Sequence, residues 1–337
     1  MPIYRCNSCG FVSDSTSTPT GSKANCDRCN TPSTVFNTVY YVEKLAERYI
    51  AALRELEALK QPDTGANNPA PDTSDNRSPA HKNYFLSGID VHNTSILANA
   101  QQHEPLNAWF VAHHIDASFD HSAVDTSGFF DDAARLIGER YDLFGELVER
   151  IRWAYRNSHS GVNIEVGGLS QKDGQALNAL SRQLYSHTFF SRYHYQKPEK
   201  IIRLTLQTAP AVRQFFEGGW LEWFAFIESV QQLKEKNLSF SCARSVKVAF
   251  TNEDLHELDV MVLPHGQEPV CIECKSGEFR RDIDKYLRLR KRLGLDRSRF
   301  IICATDLTNE QASGLTAMYE LTFVSLGSLG KKLQDLL

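Results

Sequence analysis

Residues 257–277, ELDVMVLPHGQEPVCIECKSG, predict a β-hairpin at the centre of a mixed α/β domain. Two short apolar runs flank a Pro-His-Gly turn, which is the pattern of two sequential strands. Side chains alternate between the two faces of a strand, so Glu273 and Lys275 share one face while their neighbours point into a core. Pairing of the two strands brings Asp259, at the start of the first, beside Glu273.

Two carboxylates and a lysine at this spacing point to metal-dependent chemistry. Asp259 and Glu273 repel each other when they lie close together, and a hard divalent cation such as Mg2+ or Mn2+ relieves that repulsion. The Lys275 ammonium would lie near the scissile phosphate of a substrate, where it can offset developing negative charge. The same pattern also occurs by chance on structural strands, so the surrounding sequence has to decide.

The surrounding sequence resembles the PD-(D/E)xK nuclease superfamily. The stretches FFEGGWLEWFAF, HELDVMVL and CIECKSG are similar to the nuclease domain of CRISPR-associated ancillary nucleases, which join it to a cyclic-oligonucleotide-sensing (CARF) domain. The resemblance covers about residues 209–330, and Gly-Gly-Trp-Leu-Glu and Glu-Cys-Lys are its most specific parts. It implies a restriction-endonuclease-like α/β fold that hydrolyses phosphodiester bonds with a metal-activated water.

The resemblance also implies a further acid from a helix, and the matching residue is Glu222. The implied catalytic set is therefore Glu222, Asp259, Glu273 and Lys275. Glu222 has a second interpretation, as a solvated residue at the start of a mostly buried helix. The sequence departs from the family where Glu257-Leu258 precedes Asp259 in place of proline, and Glu257 is a less favoured metal ligand.

The most basic stretch of the chain, residues 275–299, directly follows the proposed lysine. Its apolar residues predict a helix with one buried face, from which Tyr286 or Arg290 could lean toward the site or serve the core. A solvated helix face is one interpretation of the charges, and contact with phosphates is the other. The residues predicted to bind nucleic acid are Arg280, Arg281, Lys285, Arg288, Lys291 and Arg292.

Four cysteines near the N-terminus form two C-x-x-C pairs, and residues 1–36 have few large apolar side chains. Two such pairs supply four thiolates, enough for a tetrahedral and therefore structural Zn2+, with iron as the less favoured metal. The segment resembles a zinc ribbon, a family whose members dock nucleic acid or protein. The predicted zinc ligands are Cys6, Cys9, Cys26 and Cys29.

Composition shifts divide the rest of the chain. An amphipathic helix is predicted over 37–60, a disordered linker over 61–82, an α/β region of uncertain role over 83–208 and the nuclease domain over 209–337. Within 83–208, strands are predicted at 84–90 and 108–116, and a hairpin at 187–207. Asp90, Asn93 and Asp116 lie at or near strand ends. These residues are capping and turn residues, or they belong to a second site. The segment GIDVHN faintly resembles the first strand of NYN/PIN-like ribonucleases. A nucleotide-sensing Rossmann-like domain is the third alternative.

The whole chain of 337 residues has a formal net charge of −4, so nucleic acid would have to bind a local patch. It contains no long apolar run, which argues against a membrane span or a signal peptide and favours the cytoplasm. A homodimer is left open, as is a protein partner for the zinc ribbon and the 37–60 helix. The sequence favours a metal-dependent nuclease in prokaryotic defence or nucleic-acid processing; the alternative is a catalytically silent nucleic-acid-binding or regulatory protein.

Overall fold

The computed structural model describes residues 2–6, 12–14, 18–37, 85–87, 97–121, 129–250 and 255–337. The chain divides into two compact units, Met1–Pro79 and Ala80–Leu337. Apart from Asn37, the predicted helix at 37–60 lies outside the described residues, as does the predicted linker at 61–82. The division of the second unit at residue 209 remains a prediction.

The N-terminal unit contains a small antiparallel sheet in the order β2-β1-β4-β3. Its strands are β1 (Pro2–Arg5), β2 (Val12–Asp14), β3 (Lys23–Asn25) and β4 (Pro32–Asn37). The core that these strands enclose consists of Tyr4, Cys6, Cys26 and Val35. Among the described residues of this core two are cysteines, which agrees with the shortage of large apolar side chains in this part of the sequence.

The larger unit contains a three-stranded antiparallel sheet of order β6-β8-β7. The predicted hairpin at 187–207 is confirmed as β7 and β8, which pair in antiparallel register. In chain order the elements are α1 (Ala100–Ala112), β5 (Asp116–Ser118), α2 (Phe129–Glu139), α3 (Tyr141–Arg156), β6 (Gly161–Glu165), α4 (Gln171–Ser186), β7 (Phe190–Gln196) and β8 (Ile201–Leu206).

The remaining elements complete a six-stranded sheet of order β13-β12-β11-β10-β9-β5. Its β5-β9-β10-β11 side is antiparallel, and β11, β12 and β13 are parallel. The elements are α5 (Pro210–Gln214), a π-helical turn (Phe215–Gly219), α6 (Trp220–Glu235), β9 (Phe240–Ala249), β10 (His256–Pro264), β11 (Val270–Lys275), α7 (Ile283–Leu293), β12 (Phe300–Ala304), α8 (Asn309–Met318), β13 (Thr322–Ser325) and α9 (Leu329–Leu336).

Hydrophobic residues pack on both faces of this sheet. Val260 and Ile272 belong to a core that includes α6, whereas Met261 and Cys271 belong to a second core that includes α7. Neighbouring residues of β10 and β11 therefore enter different cores, as the alternation of side chains along a strand requires. The mixed α/β class predicted from the sequence is confirmed.

The strand predicted at 108–116 is wrong, because residues 108–112 belong to helix α1. Asn99 caps this helix by accepting a hydrogen bond from the backbone N–H of Gln101 at 2.9 Å. Leu106 and Phe110, four residues apart, are both fully buried. A short apolar run does not distinguish a buried strand from a buried helix turn, which is why the pattern misled. Of the strand predicted at 84–90 only 85–87 are described, and Leu86 bridges to Phe240.

The π-helical turn at Phe215–Gly219 lies between α5 and α6. Gly218 within that turn has a φ of 156°, a backbone conformation that side-chain-bearing residues rarely adopt. The turn separates α5 from α6, and α6 starts at Trp220. None of the helices in the described part of the chain is long and apolar enough to cross a membrane.

Close packing of α2 on α6 leaves no room for a side chain at Gly138. A Cβ atom built there would overlap the ring of Phe224. We expect Gly138→Ala to lower the free energy of unfolding by about 1–3 kcal/mol, the usual cost of overpacking a core. Urea denaturation followed by circular dichroism measures this.

Gly314 in α8 is the matched control, because a Cβ there meets no atom within 4 Å. Gly314→Ala should raise the free energy of unfolding by about 0.5–1 kcal/mol through helix propensity alone. Equal effects of the two substitutions would contradict this account of the α2–α6 contact.

Candidate active site and cysteine cluster

Strands β10 and β11 bring the two predicted carboxylates and the lysine together. Val260 pairs with Ile272, and continuing that antiparallel register by one step places Asp259 opposite Glu273. The Nζ atom of Lys275 lies 3.3 Å from Asp259 Oδ2 and 3.2 Å from Glu273 Oε2. One ammonium group therefore bridges both carboxylates.

A backbone hydrogen bond fixes the position of the Asp259 carboxylate. Its Oδ2 accepts from the backbone N–H of Cys274 at 2.7 Å. The Cys274 N–H lies just beyond the last pair of β10 and β11, Val260 and Ile272. The Asp259 carboxylate therefore accepts a hydrogen bond at the point where the two strands separate.

The pairing of β9 with β10 is irregular at the same place. Leu258 pairs with Val246 and Val260 with Arg244, but Ser245 between them has a φ of 54°. Leu258 enters the core that includes α7, whereas Val260, two residues later, enters the core that includes α6. The alternation of faces therefore shifts by one residue beside Asp259, and nothing in the sequence signals this shift.

Glu222 lies in the first turn of α6 and faces the same cluster. Its Oε2 accepts from Nη1 of Arg244 at 3.1 Å, and the guanidinium carbon of Arg244 lies 3.7 Å from the centre of the Trp223 ring. Burial raises the pKa of Glu222, and the negative charge of Asp259 raises it further. Sequence reasoning did not find Arg244; its one signal is a charged residue inside the apolar run that becomes β9.

Glu273 is the most deeply buried member, with 3% of its surface exposed. Its Oε1 atom has no hydrogen-bond partner in the part of the chain that the structure describes. Burial raises the pKa of this carboxyl group, and the nearby Asp259 charge adds to the rise. A buried carboxylate oxygen with a free lone pair is costly unless something positive approaches it.

Lys275 supplies part of the required positive charge. Burial opposes its charged form, but Asp259 and Glu273 outweigh burial and raise the pKa of Lys275. The group therefore stays protonated, and its Nζ lies 5.4 Å from the ring centre of Tyr286 on α7. Tyr286 is itself buried, and burial raises its pKa to about 12.

The donor set suits a hard divalent cation. Asp259, Glu273 and Glu222 offer only carboxylate oxygens, which are the ligands that Mg2+ and Mn2+ prefer. One of these oxygens, Glu273 Oε1, is buried and unpartnered within the described residues. Glu257, the less favoured ligand, is exposed on β10, yet its charge is close enough to raise the pKa of Glu222.

The basic stretch forms α7 with the predicted buried face. Phe279, Ile283, Tyr286 and Leu293 are buried. Arg290 donates to the carbonyl oxygen of Leu295 at 2.8 Å, so its guanidinium group serves the end of the helix rather than the acidic cluster. The side chains predicted to bind nucleic acid are all exposed: Arg280, Arg281, Lys285, Arg288, Lys291 and Arg292.

Two of those cations have partners on the chain itself. Arg280 lies 3.5 Å from Glu278 and 3.6 Å from Asp306. The guanidinium carbon of Arg292 lies 5.2 Å from the ring centre of Phe250. Lys285 is near enough to the buried Glu273 to lower the pKa of that carboxyl group. The helix therefore presents positive charge close to the acidic cluster.

In the N-terminal unit, three of the four predicted cysteines converge. The sulfur atoms of Cys6, Cys26 and Cys29 lie within 4.8 Å of one another, and those of Cys6 and Cys29 are 3.4 Å apart. The backbone N–H of Asn30 donates to the carbonyl of Cys26 at 2.8 Å, which closes the turn around the second pair. Such a cluster can bind a metal such as zinc; Cys9 lies outside the described residues.

Comparisons with known proteins place the fold but not the family. No family model matches the sequence, and no curated protein does. Among solved structures, protein VC1899 from Vibrio cholerae is 18% identical with a TM-score of 0.47. Can2 from Sulfobacillus thermosulfidooxidans, solved in complex with cyclic tetra-adenylate, is 13% identical with a TM-score of 0.50. Each alignment covers 68% of this chain and 59% of the other, and the likeness to Can2 shows a shared fold.

Of the three strand-end residues singled out in the 83–208 region, Asp116 lies in the described part of the chain. Asp116 is exposed at the start of β5 and pairs with Ala249 on β9. Asp90 and Asn93 lie outside the described residues. A histidine that sequence reasoning passed over, His103, is buried with its Nδ1 2.9 Å from Nδ1 of His121.

The cysteine cluster predicts a bound metal in the purified protein. We expect elemental analysis by mass spectrometry to find about one zinc per chain, held by thiolates. Cys26→Ser removes one thiolate and should release the metal while the larger unit stays folded. Cys303→Ala is the control, because Cys303 is a buried core thiol of the larger unit and should leave metal content unchanged. A wild-type protein with neither zinc nor iron would contradict the prediction.

Proposed function

We propose that this chain is a metal-dependent nuclease of the PD-(D/E)xK type that hydrolyses phosphodiester bonds. The observation that carries the proposal is the convergence of Asp259, Glu273 and Lys275 on two adjacent strands. Glu222 reaches the same cluster from α6, where the sequence resemblance implied a helical acid. The fold shared with Can2 supports the proposal at the level of architecture alone.

Each residue has a distinct role in this proposal. Asp259 and Glu273 would hold a Mg2+ or Mn2+ ion, and Glu222 would complete the acidic set. When bound, such a cation lowers the pKa of water and stabilises negative charge on phosphate. Lys275 stays protonated and stabilises charge that develops on the scissile phosphate.

Two contacts prepare these groups before substrate arrives. The Cys274 N–H fixes one oxygen of Asp259, and Arg244 fixes one oxygen of Glu222. Carboxylates that are already oriented lose little freedom when they receive a cation and substrate. Arg244 is therefore a positioning residue for Glu222 in this proposal.

We further propose a role in prokaryotic defence, as one of the CRISPR-associated ancillary nucleases or a relative of them. The sequence motifs resemble that group, whose other domain senses cyclic oligonucleotides. Can2, which has a similar fold, was solved with cyclic tetra-adenylate, a ligand of that chemical class. The alignment covers 59% of each of the two solved structures. A cyclic oligonucleotide is therefore named only as a ligand of that group of nucleases, and no binding site for it is proposed on this chain.

One observation favours the catalytically silent alternative. Each of the three carboxylates already has a cation on the same chain: Glu222 has Arg244, and Asp259 and Glu273 share Lys275. A cluster whose three carboxylates are all paired with cations of the chain could fold without a metal and be purely structural. Cleavage assays on plasmid, single-stranded DNA and RNA, with Mg2+ or Mn2+ and with EDTA, separate the two functions.

Loss of one proposed metal ligand should abolish cleavage. Asp259→Asn keeps an acceptor for the Cys274 N–H but removes the negative charge, so we expect no turnover in Mg2+ and an unchanged circular dichroism spectrum. Glu257→Gln is the control on the same strand, because Glu257 is exposed, and it should cleave at close to the wild-type rate. Turnover by Asp259→Asn at the wild-type rate would show that this carboxylate is not a ligand.

Lys275 should act on the rate and not on affinity. We expect Lys275→Ala to slow cleavage about a hundredfold or more at saturating substrate, the usual effect of removing one preorganised electrostatic group. Its affinity for nucleic acid, measured by anisotropy, should change little.

The exposed cations of α7 should behave in the opposite way. Arg288→Ala combined with Lys291→Ala should bind more weakly, and the slope of log affinity against log salt should become shallower by about 2. An unchanged rate in Lys275→Ala, or an unchanged salt slope in the double variant, would remove the corresponding residue from the proposal.

A further inference from the structure

A second basic surface lies outside the acidic cluster, on α4 and the β7–β8 hairpin. Residues 171–203 contain six Lys and Arg against two acids, although the whole chain carries a net charge of −4. Both acids are engaged within the chain: Asp173 lies 3.6 Å from Arg140, and Glu199 lies 3.4 Å from Arg203. Tyr193 faces α4, so Arg192 and Arg203 lie on the opposite face of the hairpin, and four cations remain on α4 and the hairpin tip: Lys172, Arg182, Lys197 and Lys200.

Helix α4 presents one polar stripe to solvent. Leu177, Leu180 and Leu184 are buried and anchor the opposite side of the helix. The exposed stripe follows helical spacing of three and four and consists of Lys172, Gln175, Ala179, Arg182 and Ser186. The stripe contains no acidic residue. At its centre is Ala179, whose small side chain permits close approach of a partner.

Amide side chains lie in and beside this stripe. Gln175 and Arg182 belong to it, and Asn178 and Gln183 are half-buried next to it. Amide and guanidinium groups are the side chains that form paired hydrogen bonds with the edges of adenine and guanine. The stripe therefore has the composition of a surface that contacts bases as well as phosphates.

The hairpin extends the surface at both ends of α4. Tyr193 on β7 donates to Asn178 Oδ1 at 2.6 Å, and its ring lies 6.0 Å from that of Tyr185. At the other end, the N–H of Val166 donates to the carbonyl of Lys200 at 2.9 Å, and a Cβ at Gly174 would lie 3.6 Å from the Val166 carbonyl. The hairpin tip, with exposed Lys197 and Lys200, thus meets the first turn of α4.

We propose that this helix-and-hairpin surface binds duplex DNA, with the exposed stripe of α4 in the major groove and the hairpin tip on the phosphate backbone. The major groove of B-form DNA admits an α-helix, whereas that of A-form RNA is too deep and narrow for side chains to enter. A single exposed helix stripe that carries Lys172, Gln175 and Arg182 fits the first and not the second.

This proposal rests on the proposed nuclease function only where it names duplex DNA as the substrate of the nuclease. The DNA-binding surface itself is separate from the acidic cluster. The two are connected within one compact unit. Arg152 on α3 donates to the carbonyl of Ser276 at 2.6 Å, and Ser276 directly follows Lys275. A duplex held by α4 would therefore be held by the same unit that carries the catalytic residues.

A charge placed in the middle of the stripe tests the proposal. Ala179 is exposed and helical, so Ala179→Glu and Ala179→Gln should both fold, and they differ in charge but hardly in size. Anisotropy would be measured in EDTA, which keeps the nuclease silent, with a labelled DNA duplex, the RNA duplex of the same sequence and the single DNA strand. We expect Ala179→Glu to weaken binding of the DNA duplex about tenfold or more through repulsion of phosphates, and Ala179→Gln to bind like wild type.

A second pair of variants measures the phosphate contacts. Lys172→Ala combined with Arg182→Ala should make the salt slope for the DNA duplex shallower by about 2. Lys331→Ala combined with Lys332→Ala removes the same charge from α9 and should leave the slope unchanged. Equal binding by Ala179→Glu and Ala179→Gln would overturn the proposal, and so would an equal loss on duplex RNA or on the single strand.

The two proposals fail separately. If Asp259→Asn cleaves like wild type while Ala179→Glu loses duplex affinity, the DNA surface stands and the catalytic assignment does not. If Asp259→Asn is inactive while Ala179→Glu binds and cleaves duplex DNA normally, the catalytic assignment stands and the α4 surface is not where DNA binds.

Discussion

A single ammonium group between a buried and a half-buried carboxylate is the contact on which the candidate site depends. Lys275 contacts both Asp259 and Glu273 where β10 and β11 separate just beyond their last paired residues, and the Cys274 N–H holds Asp259 at that point. A carboxylate buried as deeply as Glu273 without a cation would shift its protonation or destabilise the site. The irregular pairing of β9 at Ser245 and the start of α6 at Trp220 accompany the contact between Arg244 and Glu222 at the same place.

The three carboxylates of this cluster contact two cations of the same chain, Arg244 and Lys275. Glu273 Oε1 is unpartnered within the described residues, and burial raises the pKa of both Glu222 and Glu273. In the proposed nuclease, a hard divalent cation would be held by these carboxylates and would compensate their remaining charge.

The sequence predicted the parts of the site that depend on strand periodicity. Alternation along 270–275 placed Glu273 and Lys275 together, and pairing of sequential strands added Asp259. Periodicity could not supply Arg244, because its role depends on a φ of 54° at Ser245 that no residue type announces. The helical residues 108–112 were mistaken for a strand for a related reason: five apolar or small residues in a row are compatible with either.

Long-range pairing was also beyond the reach of the sequence. Strand β5 is three residues long and gains its place only by pairing with β9, where Asp116 meets Ala249. Local pattern carries no information about a partner so distant along the chain. The hairpin of β7 and β8, whose strands are neighbours in sequence, was predicted correctly because its turn and both strands are contiguous.

That pairing has a consequence for synthesis of the protein. Gln102 bonds to Cys242, 140 residues later, so α1 and β5 leave the ribosome long before the strand that covers them exists. At about 5–20 residues per second, the delay is on the order of ten seconds. During that interval Leu106, Phe110 and Ile115, all buried in the finished protein, have no sheet to pack against. The nascent chain therefore exposes these apolar side chains until β9 emerges.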